Sequence, residues 1–484
     1  STSAERWSIG LPPDCRAASR MRRHRPAAIA NFDISCISYV QGLIGAARPG
    51  VMRMGGNDAM KPIFGVIADD LTGGMETASM LVALGLRCGF VTRPEMVGKI
   101  PVEPVMLVAQ KTRVIPATEA VRKSEAAARA LLSIGARQLF FKYCATFDST
   151  DQGNIGPVAD RLLDLAGETR TAFCPSAPEV GRTVFNGHLF VGTELVSDSP
   201  KRFDPLTPMT DPDLVRVLQR QTKGRVGLLP HRLVRGDTGA LAAHADELAR
   251  AGMRHLIADA IYEEDLDAIA ALTLDWKVMT GNSPIVQHYP PLWRKRGWLE
   301  GAGDKQELPA VGGAGVVLSG SCAERTLDQL AAFEQQRPVH RIDLTVVDSA
   351  QGAIDNALHW ARTRLDGGPV AIATSASQRD VQAAQQKLGR EGAAHLAETI
   401  LGAVAVELRE AGVRRIVVAG GETSGTVVES LGIERLRIGS YQGPGVARAT
   451  TEEGEPVALC LKSGKLGPVD MFIPTLESMK RAEG

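Results

Sequence analysis

From residue 62 onward the sequence alternates short β-branched runs with Ala- and Leu-rich stretches of helical length. No other feature constrains the fold as strongly, because strands that alternate with helices assemble βαβ units around a parallel sheet. Phe64–Ala68, Val105–Ala109 and Gln138–Tyr143 read as strands, with helices over Met75–Leu84 and Ala117–Ile134. Apolar runs at Arg225–Leu229 and His255–Ala258 carry the same sheet to about residue 285. Tyr289-Pro290-Pro291, Gly301–Lys305 and Gly312–Gly315 then mark a connecting region over 286–312. Beyond it, Val316–Leu318, Val370–Ala373, Arg415–Ala419 and Val457–Leu461 read as strands, with helices at about 323–335, 350–365 and 391–411. The expectation is an α/β fold of two α/β domains with mainly parallel sheets, 61–285 and 313–484, and an active site in the cleft between them. A length of 484 residues, more than one hydrophobic core usually serves, agrees with two domains.

Residues 1–60 stand apart. Arg16–Arg25 is strongly basic and no strand-helix alternation follows it, so this stretch reads as an extension with little order, with Met54 or Met60 as an internal start. Over the whole chain, Lys plus Arg equals Asp plus Glu at 55 each, so no global field attracts nucleic acid or an anionic membrane. No apolar run approaches the ~20 residues that span a bilayer. The seven cysteines are scattered and never form CxxC, which argues against a disulfide framework or a zinc ribbon and for a reducing, cytoplasmic setting.

Polar residues gather where strands end. Val66-Ile67-Ala68 runs into Asp69-Asp70-Leu71-Thr72-Gly73-Gly74, and ligands of open parallel sheets bind at such carboxyl ends. Taken singly, Asp70 or Thr72 suits a helix cap; the cluster suits a site in which one carboxylate orients hydroxyls and another takes a proton. A second strand ends in Lys142, and the following loop supplies Asp148, Ser149, Thr150 and Asn154 before Pro157. That set can grip a carboxylate and several hydroxyls. In the second domain, Ile416–Ala419 leads into Gly420-Gly421-Glu422-Thr423, where close backbone approach and a helix N-terminus favour a phosphate. Ser319-Gly320-Ser321 and Lys462-Ser463-Gly464-Lys465 are two further strand ends of the same kind, and Lys462 or Lys465 is placed to neutralise phosphate. No Walker A loop, HExxH, EF-hand loop or GxGxxG turn occurs at these places.

These motifs, over about 63–472, resemble the four-carbon acid sugar kinase family. Within it, Phe141–Thr150 with Gly153–Pro157, Asn186–Gly192 and Pro205–Asp211 is similar to the members that act on 3-oxo-tetronate. The resemblance implies a substrate domain facing a nucleotide domain, with ATP and Mg²⁺ transferring phosphate to the 4-hydroxyl of a four-carbon acid. Threonate, erythronate or a non-catalytic nucleotide-binding role are the alternatives. The likeness puts Asp69, Asp70, Lys142 and Asp148 in the substrate domain; Asp70 and Asp148 are the expected catalytic carboxylates, one or the other as the base, and Asp69, Thr72, Arg113, Lys142 and Asn154 are expected to hold the acid. By the same likeness Ser319, Ser321, Gly420, Gly421, Glu422, Thr423 and Gly464 meet the nucleotide. The expected partners are the small sugar acid and ATP, with a homodimer left open. Two places depart from the family pattern: Gly74-Met75-Glu76, where Ala, a small polar residue and Asp are usual, and Gly443–Arg448, which lacks a Pro-Trp after its Pro-Gly-Val core.

Overall fold

The computed structural model describes residues 61–204, 206–300 and 306–483, so the extension expected over 1–60 lies outside it. The strands are, in chain order, β1 Phe64–Ala68, β2 Cys88–Val91, β3 Val105–Ala109, β4 Gln138–Lys142, β5 Thr171–Cys174, β6 Arg182–Phe185, β7 His188–Val191 and β8 Glu194–Leu195. They continue with β9 Arg225–Leu229, β10 Met253–Ala258, β11 Val278–Gly281, β12 Ala314–Ser319, β13 Val339–Arg341, β14 Val370–Ala373, β15 Val413–Ala419, β16 Arg435–Ile438, β17 Val446–Thr451 and β18 Ala458–Lys462. Fifteen of them form one sheet in the order β13-β14-β12-β15-β18-β17-β16-β2-β3-β1-β4-β11-β5-β10-β9. Pairing is parallel except where β16 and β17 are inserted, so the sheet is a large, mostly parallel α/β sheet.

The two expected sheets are joined edge to edge. β16 pairs antiparallel with β2, Leu436 opposite Phe90 and Arg435 opposite Val91, so β-pairing runs unbroken from the first half of the chain into the second. This junction was invisible in the sequence because β16 is short, and its exposed Arg437 interrupts any apolar run. β6, β7 and β8 form a separate antiparallel sheet. Its first turn, Asn186-Gly187, has φ of 48° and 76°, the left-handed pair that a tight two-residue hairpin demands.

β1 explains why the first strand end carries chemistry. Phe-Gly-Val-Ile-Ala is buried on both faces and paired in parallel on both edges, by β3 and β4, so it has no room for a polar side chain until it leaves the sheet at Asp69. Below it Phe64 packs against Phe140, Tyr289 and Trp293, each with ring centroids 5.3 Å away. The stretch Tyr289-Pro290-Pro291, expected to open the connecting region, instead opens the helix Tyr289–Lys295. Its prolines occupy the first turn, where a missing N–H costs nothing, and its aromatic residues join the core. Among the described residues no helix is long and apolar enough to cross a membrane.

Candidate functional site

Three neighbouring strands deliver one ion cluster. β1 ends beside Asp69 and Asp70, β3 leads through Gln110 to Arg113, and β4 ends at Lys142. The Asp69 carbonyl accepts from the amides of Thr112 and Arg113, and the Asp69 amide donates to the Lys142 carbonyl, so backbone bonds set the side chains' spacing. Arg113 donates to both Asp69 oxygens at 2.8 and 2.7 Å and to Asp70 Oδ1 at 2.5 Å. Lys142 Nζ donates to the same Asp70 oxygen at 2.8 Å. The other oxygen, Asp70 Oδ2, accepts from the Gly73 amide and caps the helix Leu71–Ala83. Cap and site are one residue.

The charges are arranged unevenly. Burial alone would raise both aspartates, and at Asp69 it wins, leaving the carboxyl above its usual range. At Asp70 burial is outweighed by Arg113 and Lys142, which hold the group well below that range. Lys142 is itself disfavoured by burial, yet Asp70 keeps its ammonium above the ordinary lysine value. Gly73 makes room for this contact: a Cβ there would lie 1.6 Å from Lys142 Nζ. Beside the cluster, Thr72 Oγ1 and Gln110 Oε1 are buried polar atoms without a protein partner. Such atoms are few in native structures, and those in a polar recess point to a ligand.

Asp148 sits in a neighbouring pair. Lys201 bridges it at 2.8 Å and Asp204 at 2.7 Å, and Thr146 Oγ1 donates to it at 2.5 Å. Burial raises the Asp148 carboxyl, but Lys201 and then Arg113 bring it below its usual range. Phe147, just before it, is held at φ 52°, an uncommon conformation for a bulky residue. Its ring is buried against Tyr143 at 5.3 Å, which fixes the turn that aims Asp148. Asn154 has a different task from the one its loop position implied. Its amide donates to the carbonyls of Thr112, Arg113 and Ile115, so it holds the Arg113 loop.

The glycine-bearing strand ends of the second half also converge. A Cβ on Gly464 would lie 2.2 Å from Ser321 Oγ, and one on Gly320 would lie 2.2 Å from Thr423 Oγ1. Gly420 takes φ 124°, open to glycine, with Ser321 N 3.2 Å from where its Cβ would be. A Cβ on Gly421 would meet nothing within 4 Å, so the start of the helix Gly421–Ser430 faces open space. Ser319 is turned inward and bonds Ser375 at 2.7 Å. Thr374 Oγ1 and Ser424 Oγ are buried without partners beside these loops. Lys462 does not face outward as a phosphate contact; it is buried beneath its loop.

Four contacts across the two loop sets were missed by sequence reading. Lys111 Nζ reaches across to Glu398 at 2.6 Å, Thr426 at 3.1 Å and Glu422 at 3.6 Å. Burial raises the Glu422 carboxyl, with Lys111 and then Arg113 opposing. Glu76, one of the family departures, accepts from the amide of Gly445, part of the other, at 2.7 Å. Lys201 likewise had no signal, because it lies in the short helical turn Pro200–Phe203 among other charges and is identified only by its burial against Asp148.

A family model described as a sugar-binding N-terminal domain matches residues 64–289, and one described as a nucleotide-binding C-terminal domain matches 316–472. The chain is 44% identical over 425 residues to a 3-oxo-tetronate kinase of Burkholderia multivorans, covering 88% of this chain and 99% of that one. A protein of the same name from Salmonella typhimurium is 36% identical over 418 residues, covering 84% and 97%. Among solved structures, a Salmonella typhimurium protein titled as a putative tRNA synthase superposes with a TM-score of 0.72 at 34% identity, covering 85% and 98%. A Haemophilus influenzae protein does so with a TM-score of 0.65 at 33% identity, covering 86% and 99%.

Proposed function

Because the chain belongs to the four-carbon acid sugar kinase family, we propose that it transfers the γ-phosphoryl group of ATP to the 4-hydroxyl of 3-oxo-tetronate. The observation that carries this reading is the buried Asp69–Asp70–Arg113–Lys142 cluster, linked through Lys111 and Glu422 to an open helix N-terminus. Arg113 and Lys142 bring positive charge to the site, and Arg113 Nη1, which none of the bonds to Asp69 and Asp70 uses, can donate to a sugar-acid carboxylate. Asp69 and Thr72 orient the hydroxyls, while Asn154 acts through the Arg113 loop. The Gly420–Thr423, Ser319–Ser321 and Gly464 segments bind the nucleotide by close backbone approach.

In the transfer, the substrate oxygen bonds to the γ-phosphorus, the bond to the leaving ADP oxygen breaks, and the hydroxyl proton leaves. Asp70 or Asp148 accepts that proton. Both are strongly ion-paired, so either is a weak base in the ground state. Phosphoryl transfer through a loose transition state asks little of a base until late, when the attacking oxygen has become acidic. Among the described residues no group of three or more His, Cys, Asp or Glu could hold a metal. Glu422, in the first turn of the helix Gly421–Ser430, would be the carboxylate at hand to hold a Mg²⁺ ion brought by the nucleotide, and that ion would supply neutralisation of phosphate charge.

The deciding measurement is ADP release from purified protein with 3-oxo-tetronate, threonate and erythronate. Turnover highest with 3-oxo-tetronate is expected. Turnover with none of the acids refutes the kinase reading, and faster turnover with threonate or erythronate refutes the choice of acid alone.

A further inference from the structure

Lysines 142, 201 and 462 are all buried, but they are not equivalent. Lys142 and Lys201 each touch carboxylates. Lys462, the last residue of β18, has no acid partner among the described residues. Its ammonium donates to Thr326 Oγ1 at 2.9 Å and to Gln329 Oε1, and approaches the Gly464 carbonyl at 3.4 Å. The Phe472 ring lies 6.0 Å away. Every one of these neighbours is neutral.

The same neighbours hold the loop above. Thr326 Oγ1 donates to the Gly464 carbonyl at 2.7 Å, and Gln329 Nε2 donates to the carbonyls of Leu466, Gly467 and Pro468 at 3.3, 3.3 and 2.8 Å. The loop 463–467 therefore rests on a platform whose centre is one uncompensated positive charge. A buried charge without a counter-ion is costly, and folds that keep one use it. An anion seated on the loop would supply what the fold does not.

We propose that Lys462 is a positioning residue whose buried charge is completed by the phosphates of a nucleotide bound on the loop 463–467. The proposal rests on the nucleotide reading of that loop given above. Burial, helped by Arg325 on the helix Glu324–Glu334, pushes the free ammonium down to about 8, while burial pushes the Cys460 thiol on the same strand up to about 12, so that it stays neutral there. A neighbouring phosphate favours the charged form, so nucleotide binding takes up a proton around that pH. Affinity is then full below the free-state value and weakens as pH rises through it. If the bound form titrates well above, the loss is roughly tenfold between about pH 7 and about pH 9.

Calorimetric titration with ADP and Mg²⁺, across that range and in two buffers of different ionisation heat, tests this without any variant. The expected result is the tenfold loss together with uptake of a substantial fraction of a proton near pH 8. Lys462→Met keeps the volume and removes the charge. It should bind ADP more weakly at neutral pH and show neither pH dependence nor proton uptake; because Gln329 Oε1 loses its donor, a thermal melt first checks that the variant is folded. Affinity that stays flat with pH in the unsubstituted protein, or Lys462→Met binding ADP just as that protein does, overturns the proposal. Failure of the unsubstituted protein to bind ADP at any pH overturns the nucleotide reading with it.

Discussion

Replacing Gly73 by alanine sets two effects of opposite sign against each other. Gly73 lies in the first turn of the helix Leu71–Ala83, and alanine in an ordinary helix interior gains about 1 kcal/mol over glycine. Here the added Cβ would fall 1.6 Å from Lys142 Nζ and 2.5 Å from Asp70 Oδ1. A lysine tip is normally mobile enough to yield, but Lys142 is only 3% exposed and cannot swing into water. Its ammonium must leave Asp70. Breaking a buried ion pair costs about 3–5 kcal/mol, so the net change is a loss of roughly 2–4 kcal/mol. Urea unfolding followed by circular dichroism measures it, and acid-dependent ADP release should fall with it. The cause can be isolated by repeating the substitution in a Lys142→Met background. There the tip is uncharged and flexible, and Gly73→Ala should cost at least about 2 kcal/mol less. Equal costs in both backgrounds, or a stabilising Gly73→Ala, would refute the argument that the glycine exists to admit the Lys142–Asp70 pair.

Asp70→Asn keeps the helix cap, since asparagine caps as well as aspartate, but strips Arg113 and Lys142 of a counter-charge; turnover should vanish while ADP binding by calorimetry persists. Asn154→Ala removes the donor to three carbonyls of the Arg113 loop and should cost about 1–3 kcal/mol, with a higher KM for the acid and little change in KM for ATP. Lys201→Met removes the cation shared by Asp148 and Asp204 and should destabilise by about 3–5 kcal/mol. Adding Asp148→Asn should recover part of that loss, and simple additivity would break the pairing argument. Because Asp70 is held below the usual carboxylate range, its contribution to stability is complete above about pH 4 and disappears only as pH falls further. Acid unfolding of Asp70→Asn should lack that steep low-pH segment.

Local sequence is enough to locate the strand ends and the residues they carry. Asp69-Asp70, Lys142, Ser319 and Gly420-Gly421 are each set by a few adjacent residues: each apolar strand run gives way to polar residues or glycines at its last position or just past it, and that position is local information. The same locality misled at Tyr289-Pro290-Pro291, where a proline pair reads equally as a linker or a helix start, and only the burial of Tyr289 and Trp293 against Phe64 distinguishes them. What tertiary structure alone decided is which of these groups meet. Lys111 finds Glu398 and Glu422, Lys201 finds Asp148, Glu76 finds Gly445, and β16 joins β2, all across long stretches of chain. Tertiary structure also turned Asn154 toward the Arg113 carbonyls and Lys462 beneath its loop. The reason is physical: a charged side chain takes its role from the partner and burial it finds, and both are set by strand order and register, which no short stretch of sequence contains.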